Sequence, residues 1–113
     1  MKLRMKIVAG AAATALWVAG AFAFNASGIN ASLDYGANYD CGTDRPCQQG
    51  YWADAHNEWY PYYQQYYAEY WQYYGPGLCN YPEYESLCNG LASDINELYQ
   101  VVYYIWYYQN YWA

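Results

Sequence analysis

The stretch that decides the fold is residues 51–74, YWADAHNEWYPYYQQYYAEYWQYY, where nine tyrosines and three tryptophans fill half of the positions. The aromatic residues recur in steps of four and three, the period of a helix face, and not in steps of two as on a strand. One stripe comprises Trp52, His56, Trp59, Tyr63, Tyr66, Tyr70 and Tyr73, and a second comprises Tyr60, Tyr67, Trp71 and Tyr74. The period predicts an amphipathic helix, although aromatic residues favour strands.

Two features modify this helix. Pro61 lacks a backbone donor, so we expect a kink or a restart of the helix near Trp59–Pro61. Gly75-Pro76-Gly77 predicts a firm end after Tyr74.

A second helix is predicted over residues 92–112, where apolar residues again step by four and three. Its stripe is Leu91, Ile95, Leu98, Val102, Ile105, Gln109 and Trp112. Asp94 with Glu97 predicts a capping box, with Ser93 as an alternative N-cap. Before it, Asn80-Tyr81-Pro82-Glu83 predicts the start of a short helix that Gly90 ends.

These elements predict an all-α fold. Two long amphipathic helices with a short connection bury their stripes against each other or against a partner, which favours an antiparallel helical hairpin with a short third helix. Residues 24–50, rich in Asn, Gly, Ser and Asp, are predicted to be an irregular arm before the Tyr/Trp-rich helical domain at 51–113.

Residues 1–23 have the pattern of an export signal: three basic residues, an apolar run and Ala21-Phe22-Ala23 as a cleavage site. The alternative is an uncleaved membrane anchor at residues 7–24, because this run reaches the short limit for spanning a bilayer. Either arrangement places the remainder of the chain outside the cytoplasm, secreted, periplasmic or membrane-anchored.

The four cysteines of this short exported chain predict two disulfides. A straight helix over 51–74 would hold the first two cysteines about 36 Å from the last two. We therefore expect the local pairs Cys41–Cys47 and Cys79–Cys88. A continuous helix over 80–88 would keep Cys79 and Cys88 too far apart, so the second pair requires a break in it or a fold-back of the first long helix at Pro61.

The sequence favours no enzymatic chemistry. After residue 23 the only basic residue is Arg45, against ten Asp and Glu, which argues against nucleic-acid binding. His56, flanked by Asp54 and Glu58, is the only histidine, and a packed or partner-facing role is expected for it. The cysteine spacings and the acidic residues match no metal or cofactor motif, so no catalytic, metal or cofactor site is predicted.

The tyrosines carry the functional signal, because a domain of this size cannot enclose all of its aromatic rings. Exposed aromatic surface marks contact sites, so we expect a non-catalytic structural or accessory protein that binds copies of itself or a larger envelope or membrane complex. Open alternatives are a glycan-binding module, a Tyr-cross-linked coat or matrix protein, and contact with the membrane interface. The predicted interaction surface comprises Trp59, Tyr60, Tyr63, Tyr67, Tyr70, Trp71, Tyr74, Tyr103, Trp106, Tyr107 and Trp112.

Overall fold

The computed structural model describes residues 24–113, which form three α-helices and no strand. The elements are α1 (Ala26–Cys41), α2 (Arg45–Tyr74) and α3 (Pro82–Tyr111), with a 3₁₀ turn at Leu78–Asn80. The all-α prediction is therefore confirmed. The export signal or anchor predicted for residues 1–23 lies outside the described residues.

The prediction that residues 24–50 form an irregular arm is wrong, because most of this segment is helical. Asn25 caps α1, its side chain accepting a hydrogen bond from the Gly28 amide at 3.2 Å. Leu33 and Ala37, one turn apart, are buried against the rest of the protein. Small residues on a helix face give a weak hydrophobic signal. The polar composition of residues 24–50 therefore led to the prediction of an irregular segment.

Helix α2 begins six residues before the predicted start and ends where predicted. Its N-cap is Asp44, whose side chain accepts a hydrogen bond from the Cys47 amide at 3.3 Å. After Tyr74 the chain turns at Gly77, where the positive φ of 85° suits glycine. The helix runs through Pro61 without a restart, since Trp59 and Tyr66 are buried on either side of it.

Helix α3 unites two elements that were predicted to be separate. Pro82 lies in its first turn as predicted, but the N-cap is Tyr81, whose side chain makes no capping bond. Gly90 is buried inside the helix and does not end it. The predicted caps at Ser93 and Asp94 are also wrong: both residues lie within the helix, and Asp94 is fully buried. A capping pattern inside a longer helix was thus mistaken for a helix start.

The first predicted stripe of α2 and the predicted stripe of α3 supply most of the core. Buried residues at its centre are Trp52, Trp59, Tyr66, Leu91, Leu98, Val101 and Ile105. Val101 is buried where the stripe predicted Val102, which is only half-buried. Ring contacts across the interface pair Trp52 with Tyr108 at a centroid distance of 4.9 Å, and Tyr73 with Tyr84 at 5.9 Å. Residue numbers therefore rise along α2 as they fall along α3 at these contacts.

The N-terminal part of the described chain packs on this core. Phe24 is buried, with its ring edge-on to Tyr66 at 5.3 Å and to Trp59 at 6.2 Å. The Ala26 amide donates to the Glu97 carboxylate of α3 at 3.0 Å. An aromatic ring and a charge-assisted hydrogen bond thus join the start of α1 to the two long helices.

Gln48 fixes the corner between α1 and α2. Its buried side-chain amide donates to the Ala37 carbonyl at 3.2 Å and to the Gly42 carbonyl at 2.8 Å. Its side-chain oxygen accepts a hydrogen bond from the Trp52 indole at 3.0 Å. One polar side chain therefore satisfies three groups at a helix junction.

Both predicted disulfides are present, Cys41–Cys47 and Cys79–Cys88, with Cα–Cα distances of 5.4 and 5.8 Å. The geometric difficulty with the second pair is resolved by the 3₁₀ turn. Cys79 precedes α3 and lies beside the helix, so it reaches Cys88 without a break in α3 or a fold-back at Pro61.

Candidate interaction surface

The second aromatic stripe of α2, joined by His56 and Tyr63 of the first stripe, forms a ladder of rings along the outside of the helix. His56 stacks on Tyr60 with a centroid distance of 5.0 Å and an interplanar angle of 15°. The ladder continues through Tyr60, Tyr63, Tyr67, Trp71 and Tyr74, with neighbouring centroids 5.1–6.2 Å apart. Spacings of three and four residues place each ring above the next on one side of the helix.

A shorter ladder on α3 joins the first. Tyr99, Tyr103 and Trp106 follow one another with centroid distances of 6.3 and 5.8 Å. Tyr99 also contacts Tyr63 of α2, centroid to centroid at 6.3 Å. We call the combined surface the aromatic face: His56, Tyr60, Tyr63, Tyr67, Trp71, Tyr74, Tyr99, Tyr103 and Trp106.

The aromatic face is open to solvent. Six of its rings, those of Tyr67, Trp71, Tyr74, Tyr99, Tyr103 and Trp106, are each 45–53% exposed. His56, Tyr60 and Tyr63 are half-buried. Burial, followed by the neighbouring Tyr67, Tyr60 and Tyr99 hydroxyls, raises the pKa of Tyr63 above its ordinary value of 10.0. Tyr63 therefore stays a neutral phenol at physiological pH.

No Asp, Glu, Lys or Arg belongs to the aromatic face. By the helical period, Glu58 and Glu69 of α2 fall on a different side of the helix from Tyr63 and Tyr67. On α3, Asp94 is buried and Glu97 accepts the hydrogen bond from α1. A contiguous surface without carboxylate, ammonium or guanidinium groups thus occurs on a chain that carries ten acidic residues.

An open groove of about 430 Å³ crosses the end of the aromatic face where the two ladders meet. It is lined by His56, Tyr60, Tyr99, Val102, Tyr103 and Trp106. A second groove of about 400 Å³ lies on the other side of Tyr99 and Tyr103. Tyr104 borders that groove, where burial, a hydrogen bond with Tyr108 and nearby Asp34 raise its pKa.

Seven of the eleven residues predicted for the interaction surface lie on the aromatic face. These are Tyr60, Tyr63, Tyr67, Trp71, Tyr74, Tyr103 and Trp106. Tyr70 and Trp112 are half-buried at the edge of the core, and Tyr107 is exposed beside the second groove. Trp59 is only 2% exposed, so its assignment to the surface is wrong: it belongs to the α2 stripe that faces Phe24.

Some exposed rings escaped the prediction. Tyr99, which joins the two ladders, was not among the predicted surface residues, although the helical wheel places it beside Tyr103. Tyr35 and Tyr39 of α1 are the most exposed large rings described, at 71% and 78%, and they stack on each other at 6.1 Å. Their four-residue spacing was a helical signal within the supposed arm.

Arg45, the only basic residue after residue 23, lies away from this face. Its guanidinium donates to the Trp112 carbonyl at 3.0 Å and to the Ala113 carbonyl, and Gln49 also donates to the Trp112 carbonyl. These bonds satisfy carbonyls at the end of α3 and tie it to the start of α2. The cation thus has an intramolecular role.

Neither a metal-binding cluster nor a membrane-spanning helix is found among the described residues. Between Phe24 and Ala113, no three His, Cys, Asp or Glu side chains are grouped to hold a metal ion. No helix in this same span has the length and apolar character to cross a bilayer. The two disulfides indicate an oxidising, extracytoplasmic environment.

No protein-family model, curated protein or solved structure matches this chain.

Proposed function

We propose that this chain is a non-catalytic, extracytoplasmic structural or accessory protein that works by burying its aromatic face against another protein. The binding partner is a copy of itself or a component of a larger envelope or membrane complex. In this proposal α2 and α3 form an antiparallel hairpin that holds the face rigid, with α1 packed behind it. The observation that carries the proposal is the contiguous, half-exposed aromatic face, which holds no Asp, Glu, Lys or Arg.

Physical reasoning supports a contact role for this surface. Leaving rings exposed to water is unfavourable, and contiguous apolar patches on a soluble chain mark binding sites. Tyr and Trp are also enriched at protein interfaces, where they contribute large contact areas at low cost in conformational entropy. The hydroxyls at the rim of the patch supply hydrogen bonds, so the patch suits another protein better than bulk lipid.

The compartment follows from two features of the sequence. The basic and apolar pattern of residues 1–23 is typical of an export signal, and the alternative anchor also places the domain outside the cytoplasm. Both cysteine pairs are positioned for disulfides, which persist in a secreted or periplasmic protein.

A second candidate function is favoured by the groove at the end of the aromatic face. Its volume of about 430 Å³ lies within the range of small-ligand sites, and its walls are half-exposed rings of Tyr99, Tyr103 and Trp106. Sugar rings pack against such walls, so the alternative is a binding module for envelope glycans.

Photocrosslinking in the native compartment tests the proposed function. A benzophenone amino acid replaces Tyr67 or Trp71 of the full chain, and a matched control carries it at Gln65, an exposed polar position of the same helix. Irradiation of intact cells should give covalent protein adducts from the two face positions and few from Gln65.

Each outcome discriminates between the functions. Protein adducts confined to the face positions support the protein-contact role, and their mass identifies a copy or another subunit. Equal yields at all three positions, or none at the face, would contradict it. Attachment of carbohydrate in place of protein would favour the glycan alternative.

A further inference from the structure

We infer that the partner bound by the aromatic face is a second copy of this chain, joined face to face in a two-fold dimer. This inference rests on the proposed function and adds to it the identity of the partner. Charge, contact area and symmetry each favour a copy over an unrelated protein.

The positions of the acidic residues determine which surfaces of two copies can come into contact. Five acidic residues are exposed on the described chain: Asp40, Asp44, Asp54, Glu83 and Glu85. Arg45, the only basic residue of this part, already binds the Trp112 and Ala113 carbonyls. Two copies that approach through their acidic sides therefore bring like charges together and repel each other. The aromatic face, which holds no acidic residue, is the surface on which identical chains meet without that penalty.

The acidic charge of the chain also argues against a partner of different sequence. A different protein that recognises an acidic protein is expected to present basic residues, and acidic residues would then line the contact surface. The aromatic face offers no carboxylate to such residues. Its neutral phenols and indoles instead match a surface of the same kind, in which hydroxyls and rings pair with hydroxyls and rings.

The area of the face is sufficient for a dimer. An aromatic side chain presents about 150–250 Å², so six rings near half exposure and three half-buried ones offer on the order of 600–800 Å². A standard stable interface buries about 800 Å² on each partner. A single face therefore provides nearly the whole contact that a specific dimer needs.

Two-fold symmetry follows from the use of one face. When the same surface serves both partners, the contact is self-complementary and closes after two copies, as in the commonest homo-oligomers. Tyr35 and Tyr39 lie on α1, outside the face, and remain exposed in the dimer.

Sedimentation equilibrium of the protein purified from its native compartment, with both disulfides formed, tests the inference. The wild type should sediment as a dimer, and the double variant Tyr67→Gln, Trp71→Gln should weaken dimerisation at least about 30-fold. Gln is a good helix former that already occurs beside these positions, so the variant retains its helix. The control, Tyr35→Gln with Tyr39→Gln, removes two more exposed rings and should leave the dimer intact.

A charge-swap pair makes the assignment specific. Tyr67→Glu with Trp71→Glu, and Tyr67→Lys with Trp71→Lys, should each be monomeric because like charges oppose each other across the dimer. An equimolar mixture of the two variants should form a mixed dimer. Because the mixture contains only copies of this chain, such a dimer would show that the aromatic face binds another copy.

Two results would overturn the inference. One is a wild-type protein that stays monomeric at millimolar concentration, both on its own and in the presence of cell-wall polysaccharide. The other is dimerisation that survives both face variants. If photocrosslinking in cells still traps the face against a different protein, the proposed function stands and only the identity of the partner is wrong. If the face traps no protein in cells, both fail.

Discussion

Tyr63 of α2 and Tyr99 of α3 bring their ring centroids within 6.3 Å of each other and thereby join two aromatic ladders into one surface. Tyr63 lies between Tyr60 and Tyr67 on its own helix, and Tyr99 is followed by Tyr103. Without this contact the chain would carry two narrow stripes on separate helices. The packing of α2 on α3 therefore creates the aromatic face as well as the core.

Replacing Tyr66 with Phe should stabilise the protein. The Tyr66 ring is buried between Phe24 and the core, and its hydroxyl has no hydrogen-bond partner among residues 24–113. Removing an unsatisfied buried hydroxyl without changing the ring should raise the free energy of unfolding by about 1 kcal/mol. Urea denaturation at pH 7 checks this, and a loss of stability would show that the hydroxyl contributes a favourable interaction.

The same variant should change the alkaline stability. Burial, followed by the charges of Asp94 and Glu69, raises the pKa of Tyr66 from 10.0 to about 12. Between these values the unfolded chain loses the phenol proton while the folded chain retains it, so the free energy of unfolding falls as pH rises from 10 to 12. Tyr66→Phe should make this decline shallower by up to about 1.4 kcal/mol per pH unit. Tyr35→Phe, at a 71% exposed ring, controls for the loss of one phenol, and equal slopes for the two variants would contradict the prediction.

Gln48→Leu should destabilise the corner between α1 and α2. The substitution removes the donor to the Ala37 and Gly42 carbonyls and the acceptor of the Trp52 indole proton. Because these groups become buried without partners, we expect a loss of about 3 kcal/mol in the free energy of unfolding. Tryptophan fluorescence during urea denaturation measures it. Gln65→Leu, at an exposed position of the same helix, is the matched control, and comparable losses in both variants would refute a special role for Gln48.

Removing the second disulfide should lower the free energy of unfolding by more than a substitution at an exposed residue does. The helices should nevertheless stay folded. Cys79 and Cys88 close a short loop with a sequence separation of 9, and Cys88 is buried. The chain-entropy relation gives about 3 kcal/mol for such a loop. Differential scanning calorimetry of Cys79→Ser with Cys88→Ser, beside wild type in oxidising and in reducing buffer, checks this value. An unchanged melting temperature in the variant would contradict it.

The sequence predicts the parts of this fold that depend on large residues in a regular period. In the two stripes, Trp52, Trp59, Leu98 and Ile105 face the core as their spacing requires. The local disulfide pairs also followed from spacing and helix length. For the stripes, the signal is a side chain large enough to dominate the burial of its helix.

The elements that were missed depend on weaker or context-dependent signals. Helix α1 buries alanines, which contribute little to a hydrophobic pattern, and its end is fixed by Gln48 from another helix. The internal position of Asp94 reflects tertiary packing that overrides a local capping pattern. The aromatic face could be predicted in composition but not in shape, because the Tyr63–Tyr99 contact depends on how two helices pack.

Hydroxyl-radical footprinting of the native protein in its own envelope tests the central claim most directly. The labelling rates of Tyr67 and Trp71 are compared with those of the same residues in the purified domain at nanomolar concentration, with Tyr35 and Tyr39 as internal controls. If the aromatic face is a contact surface, Tyr67 and Trp71 should be protected several-fold in the envelope, while Tyr35 and Tyr39 label as rapidly as in the isolated domain. Equal rates for Tyr67 and Trp71 in both preparations would contradict the account.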